Sequence, residues 1–373
     1  MPTKLHKKSG ALLLLSSLAL SSTLVFGSWG NPDSKQKTYL GQKIKSVDIH
    51  MHPGRYETMG PIGKAFLRET LPAFLPKFLK DFSLSAVSGF MLNPYGAFIG
   101  IKSECEKAGL THCGLFAVYA PETWGVTNNE QIISYLDDRR NVGPDQKPYF
   151  FGLASLGVMD WQINEEQELQ RLRQALAHPQ INGIKLAFIH NSIPLDDSQY
   201  DSIYRLAGEL QAPVYHHVGS SPLRNLDDMN SVEEKEFYLR SYDPKGLERS
   251  IREFPQVKFI LGHMGFDFNE EGNDFSKDVF DLAETYPNVY LEISAFGRES
   301  YDPQGDYMDD ILIAIKEKNL LQRTIFGSDG PGFPGGTEKY ITATLESMER
   351  VGYSFEEAEQ VLYHNSAQLF RLP

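Results

Sequence analysis

The chain has 373 residues, 49 acidic against 36 basic, a formal charge of −13 and only two cysteines. That length exceeds a small module and suits one large α/β domain. The acidic balance excludes nucleic acid as a partner, and two cysteines exclude a disulfide scaffold or a Cys-rich zinc knuckle.

Residues 1–27 read as a secretory signal peptide. Lys4, Lys7 and Lys8 make a basic start, an apolar run extends from Ala11 to Phe26, and Gly27 and Ser28 follow. The alternative is an uncleaved anchor, but the run is short for a span and is interrupted by serines. No cysteine follows it, which argues against a lipid anchor. Residues 28–43 read as an N-terminal linker. The mature protein is therefore expected to be secreted or periplasmic, without stable membrane insertion. In an oxidising compartment Cys105 and Cys113 either pair or stay as separate thiols.

From residue 44 onward, strand-like and helix-like segments alternate. The strands are expected at 44–50, 112–119, 149–156, 181–188, 213–217, 257–261, 289–293 and 323–327. Helices are expected near 101–108 and at 129–139, 165–177, 200–210, 244–254, 276–286, 309–318 and 338–351. Short apolar strands are what a sheet covered on both faces requires. Eight β-α units over 44–373 predict a (β/α)8 barrel with an extra helical insertion after strand one. The runner-up is an open doubly wound sheet, but no Gly-x-Gly-x-x-Gly loop follows the first strand.

That insertion, over 61–82, carries Phe66, Leu67, Leu71, Phe74, Leu75, Phe78, Leu79 and Phe82 at helical spacing. Pro72 and Pro76 should kink or split it. It reads as a cap on the barrel, an apolar wall over the site, or a contact in a homodimer. The stretch 220–237, rich in Asp, Asn and Glu, reads as a solvated excursion.

Barrel enzymes place their chemistry at the C-terminal ends of the strands. His50 and His52 end strand one in Asp48-Ile49-His50-Met51-His52, and strand alternation points both the same way. Asp48 lies on that face as a candidate to orient them. His216 and His217 end strand five, His263 follows strand six, Asp329 follows strand eight, and Lys185 sits late in strand four. Glu292 is a candidate inward acid on strand seven and a partner for Lys185. Arg298 could clamp a substrate carboxylate or stand in solvent. His190 reads as a loop histidine, and Tyr119 and Trp124 as ordinary packing near the pocket.

These residues resemble a family. Asp48-x-His50-x-His52, Gly183-Ile184-Lys185-Leu186, Tyr215-His216-His217-Val218-Gly219, Gly262-His263-Met264-Gly265, Gly327-Ser328-Asp329 and the closing Asn365-Ser366-Ala367 are similar in kind and order to the amidohydrolase superfamily. The branch is the amidohydrolase-related one, which holds lactone hydrolases and the aminocarboxymuconate-semialdehyde and resorcylate decarboxylases. The resemblance implies that His50, His52, His217 and Asp329 bind metal, with His217 preferred to His216 because Val218-Gly219 follows it. It implies that His263 is an acid/base beside one metal, or a ligand of a second. Lys185 falls near a position that bridges two metals as a carboxylated lysine in some members and is no ligand in others.

Three imidazoles and a carboxylate suit zinc, with manganese or iron as alternatives, as one ion or two. Such a cation lowers the pKa of water from about 15.7 toward about 7 and polarises carbonyls. Asp329 could then take a proton and His263 donate one. The leading expectation is a metal-dependent hydrolase acting on a small-molecule lactone, ester or amide. The alternatives are non-oxidative decarboxylation of an aromatic or muconate-like acid, and a non-catalytic metal- or ligand-binding barrel.

Overall fold

A computed structural model describes residues 36–92, 94–143, 146–331 and 335–373. The expected signal peptide and the first part of the linker lie outside the described residues. The rest of the linker belongs to the fold. It forms an antiparallel hairpin of β1 (Thr38–Tyr39) and β2 (Gln42–Lys43). Tyr39 anchors it, because the ring is buried and its hydroxyl donates to the Tyr353 carbonyl at 2.8 Å.

The first barrel strand is β3 (Val47–Met51), followed by β4 (His112–Phe116). A small hairpin of β5 (Val118–Ala120) and β6 (Gly125–Thr127) stands apart from the barrel sheet. It takes the last residues that the apolar pattern assigns to strand two. The barrel continues with β7 (Phe150–Ala154), β8 (Ile181–Leu186), β9 (Val214–His217), β10 (Phe259–Gly262), β11 (Val289–Ile293) and β12 (Thr324–Phe326). These eight strands, among the described residues, pair in parallel in sequence order from β3 to β12. The seam between the two ends is closed by a parallel bridge from Met51 to Gly330. His52 N donates to Gly330 O at 2.7 Å there, and Gly330 N to His50 O at 3.0 Å. The architecture is the expected (β/α)8 barrel, and the doubly wound alternative is set aside.

Helices follow the strands wherever a 3.6-residue apolar stripe is available. Asp201–Leu210, for example, buries Ile203, Tyr204, Leu206 and Ala207 against the sheet. Asn128 starts Asn129–Leu136 by accepting a hydrogen bond from Gln131 N. A separate apolar cluster draws on six strands at once, through Ile49, Phe116, Leu153, Tyr215, Ile260 and Ile325. Contact across six strands is possible only inside the barrel, so this cluster is the floor beneath the rim. Phe370, near the C-terminus, packs into it, its ring centroid 5.1 Å from that of Phe151.

Between β3 and β4 lie α1 (Pro61–Glu69), α2 (Lys77–Leu92) and α3 (Pro94–Lys107). Pro72 and Pro76 fall in the break between α1 and α2, since a proline inside a helix removes a donor and clashes with the preceding turn. Tyr56, Leu71 and Leu84 give the insertion a small core of its own. Arg68 and Tyr56 both bond to Asp81, tying α1 and α2 to the segment that follows His52. Phe74, Phe78 and Phe82 stay exposed.

Cys105 in α3 and Cys113 in β4 form a disulfide across a sequence separation of 8 residues, which decides between the two alternatives left open above. Cross-linking so short a loop contributes about 2–3 kcal/mol. A Cys105→Ala/Cys113→Ala variant is expected to unfold at lower denaturant than the oxidised protein. Dithiothreitol should lower the midpoint of the unsubstituted chain and leave that of the variant unchanged.

Candidate metal centre

The site begins at the barrel seam. Asp48, buried near the start of β3, accepts through Oδ1 from the backbone N–H groups of His50 and Ser328, both at 2.9 Å. It was expected to orient an imidazole; its Oδ1 instead joins the two backbones that carry the site. Burial pushes its carboxyl up to about 7, against the hydrogen bonds from Ser328 and His50.

Because the seam fixes those backbones, three side chains from opposite ends of the chain converge. His50 Nε2 lies 2.9 Å from His52 Nε2 and 3.3 Å from Asp329 Oδ1, and His52 Nε2 lies 3.1 Å from that same oxygen. His263 joins from the end of β10. Ligand atoms of His50, His263 and Asp329 all lie within 4.8 Å of one another. Asp329 holds a left-handed φ of 55°, and His263 one of 60°, conformations that cost a non-glycine residue energy unless the surroundings enforce them.

Arg298 helps to enforce the first. Its Nη2 donates to the carbonyls of Ser328 at 2.7 Å and Asp329 at 2.6 Å, and stands 3.5 Å from Asp329 Oδ2. The guanidinium expected to clamp a substrate carboxylate thus holds, through Nη2, the loop that presents Asp329, with a third of the side chain exposed. Burial works against ionisation of Asp329. The neighbouring His50, the hydrogen bond from His52 and the Arg298 charge nevertheless hold its carboxyl well below the usual range.

Beneath these groups lies a buried polar cluster. Glu292, fully buried, bonds through Oε1 to His50 Nδ1 at 2.8 Å. Through Oε2 it accepts from the Tyr215 hydroxyl at 2.8 Å and from Ser294 Oγ. Ser294 Oγ in turn lies 2.8 Å from His263 Nδ1. Sequence reasoning named Glu292 as a partner for Lys185 and missed Tyr215 and Ser294. The signal was the two-residue strand period, which puts Tyr215 in phase with His217 on β9 and Ser294 in phase with Glu292 at the end of β11. Glycine makes room for the cluster. A Cβ at Gly262 would collide with Tyr215 Oη, and one at Gly327 with Glu292 Oε1.

Lys185 Nζ sits over two aromatic faces, 4.0 Å from the Tyr215 centroid and 5.3 Å from that of Phe116. Burial pushes its ammonium down to about 7, with Glu292 and Asp329 pulling the other way.

The paired histidines of β9 diverge. His216 turns outward, with Nε2 3.2 Å from the Tyr204 hydroxyl and its ring stacked on Phe259. His217 reaches the rim, its ring centroid 4.3 Å from that of His263, and its Nε2 donates to the Ser220 carbonyl at 3.0 Å. His217 thus lies against His263, at the edge of the convergent group. His190 sits in the short turn Ile189–Asn191 after β8, a loop position as expected, and is buried at 7% exposure. Its ring centroid lies 5.6 Å from that of His217 and 6.5 Å from that of Trp124, and Phe268 packs on His263 at 5.5 Å. Burial lowers the basicity of His50, His263 and His190 well below the usual value and brings His217 to about 4. Burial thus favours the neutral form of all four imidazoles, the state in which a ring nitrogen can ligate a metal.

The donor chemistry fits a divalent cation. Two imidazole nitrogens and a carboxylate oxygen face one another at 2.9–3.3 Å. Ligands bonded at about 2.05 Å in a tetrahedron would stand roughly 3.3 Å apart. Without a shared cation or proton, such lone pairs in a low-dielectric setting repel.

The amidohydrolase family model (Amidohydro_2) matches residues 149–372, more than half of the chain. One curated relative, the protein fluG of Emericella nidulans, is 26% identical over 166 residues, which are 41% of this chain and 18% of that protein. The chain thus matches under a fifth of that relative's length. An uncharacterized TIM-barrel protein from Bordetella bronchiseptica superposes with a TM-score of 0.59 at 15% identity, covering 88% of this chain and 99% of that one. A probable 2-pyrone-4,6-dicarboxylic acid hydrolase from Acinetobacter baumannii gives 0.53 at 16% identity over 87% and 99%. A 5-carboxyvanillate decarboxylase from Sphingomonas paucimobilis gives 0.52 at 13% identity over 88% and 100%. At these identities the structures share the fold. The family match runs from β7 to the C-terminus and takes in His217, His263, Glu292 and Asp329: this chain belongs to the amidohydrolase family.

Proposed function

We propose that the protein is an exported metal-dependent hydrolase that cleaves a lactone, ester or amide bond of a small molecule. The observation that carries this reading is the convergence of His50 Nε2, His52 Nε2 and Asp329 Oδ1 within 3.3 Å, with His263 beside them. Zinc suits this donor set best, with manganese or iron as alternatives. When bound, such a cation supplies Lewis acidity to a carbonyl and acidifies water.

The chain's own residues do the rest. Asp329, held ionised, accepts the proton released as water attacks. His263, whose neutral form burial favours, takes that same proton from Asp329 at a ring nitrogen and delivers it to the leaving oxygen or nitrogen, which leaves Asp329 ionised again. Phe268, packed on His263, and Trp124, beside His190, wall the site and help exclude bulk water. The disulfide between Cys105 and Cys113 supports export, since such bonds persist in oxidising compartments.

Elemental analysis of protein purified without chelator is expected to find one or two equivalents of zinc, manganese or iron per chain. A His50→Ala/His52→Ala variant should retain none. A native protein that holds no metal and cannot be loaded would defeat the proposal.

The reaction type is tested by supplying the loaded enzyme with a panel of lactones, esters and amides, and separately with resorcylate-like acids. Turnover of the first set without carbon dioxide release from the second is expected. Carbon dioxide release from the acids alone would reassign the protein as a decarboxylase, on the same barrel as the 5-carboxyvanillate decarboxylase it resembles.

A further inference from the structure

We infer that Glu292 is a positioning residue for two histidines at once, fixing the ring proton of both His50 and His263 on Nδ1. This deepens the proposed metal-site reading and rests on it only for the consequence for cation affinity.

The argument is proton accounting among groups that are all nearly or wholly buried. A carboxylate accepts hydrogen bonds and cannot donate them. The 2.8 Å contact between Glu292 Oε1 and His50 Nδ1 therefore places a proton on that nitrogen. A neutral imidazole carries one N–H, so His50 Nε2 presents a lone pair to His52 and Asp329.

The second half runs through Ser294. Its short contact with Glu292 Oε2 sets a hydroxyl against a carboxylate, so the hydroxyl proton lies between them. Ser294 has no other proton to give. Its oxygen can then only accept from His263 Nδ1, 2.8 Å away. That puts the ring proton of His263 on Nδ1 as well and bares its Nε2. Tyr215 is consistent with this count. Its proton goes to Glu292 Oε2 at 2.8 Å, and its oxygen stands 3.1 Å from the protonated His50 Nδ1 but 3.5 Å from His263 Nε2, where no proton lies between.

One acid on β11 thus sets the proton positions of residues on β3 and after β10. The space it needs comes from Gly327, whose Cβ would strike Glu292 Oε1, and from Gly262, whose Cβ would strike Tyr215 Oη. Both glycines immediately precede site segments, Gly262 before His263 and Gly327 before Ser328-Asp329. A role confined to packing would not require every donor around the carboxylate to point inward.

The test is Glu292→Gln in the full chain, an isosteric change that puts a donor where one acceptor was. Histidine tautomers are read by nitrogen-15 two-bond correlation spectra, before and after zinc addition, and zinc affinity by competition with a chromophoric chelator. The unsubstituted chain is expected to show Nδ1–H at His50 and His263. The Gln variant should move at least one of them to Nε2–H and weaken zinc binding by about 10–100-fold. Ser294→Ala provides a second variant, should the Gln chain not fold. It should release His263 alone and leave His50 as Nδ1–H. The assignment is overturned if both variants keep both rings as Nδ1–H, or if the unsubstituted chain shows Nε2–H at either. A chain whose tautomers respond as described but which binds no zinc would defeat the metal reading and leave the positioning role standing.

Discussion

The seam where β12 meets β3 is the constraint on which the rest depends. Strand order alone would leave His50 and His52 nearly 280 residues from Asp329 in sequence. Two backbone hydrogen bonds to Gly330 and the shared acceptor Asp48 Oδ1 bring them to within 3.1–3.3 Å. A closed barrel has no free edge, so every strand end is fixed by two neighbours. The rim therefore holds side chains in place even where the backbone is strained. Asp329 keeps a left-handed conformation because the seam grips the chain on one side and Arg298 grips its carbonyl on the other.

The same closure dries the space below the rim, and in a low-dielectric setting polar groups must be fully satisfied. That requirement shapes the cluster around Glu292. Its oxygens accept from His50, Tyr215 and Ser294, and Ser294 passes the arrangement on to His263. Burial also decides ionisation. It disfavours charge on the imidazoles. It opposes charge on Asp329 too, but there the imidazoles and Arg298 outweigh it. A neutral-nitrogen, anionic-oxygen set is the combination that attracts a divalent cation.

The insertion after β3 follows another logic. Its core of Tyr56, Leu71 and Leu84 is small, and it is held to the segment after His52 by the bonds of Tyr56 and Arg68 to Asp81. Phe74, Phe78 and Phe82 are left in solvent. The helical apolar period of this stretch is plain in the sequence, yet period alone does not say how many apolar residues find a partner.

The sequence by itself determined the barrel, because short apolar strands alternating with amphipathic helices have few other ways to bury both faces of a sheet. It also determined the rim residues, since His50, His52, His217, His263 and Asp329 all fall at or just past strand ends. Hydrophobic period and strand position are local properties, written within a few residues of each group. Tertiary structure decided everything that depends on which atoms face each other across the barrel. It turned His216 out toward Tyr204 and His217 in toward His263. It gave Glu292 to His50, Tyr215 and Ser294, with Lys185 left over the aromatic rings. It drew Arg298 onto the Asp329 loop, buried His190, and folded residues 38–43 into a hairpin. These pairings join residues tens to hundreds of positions apart. Their energies arise only when closure removes the water that would otherwise satisfy each group separately, and no local pattern encodes that.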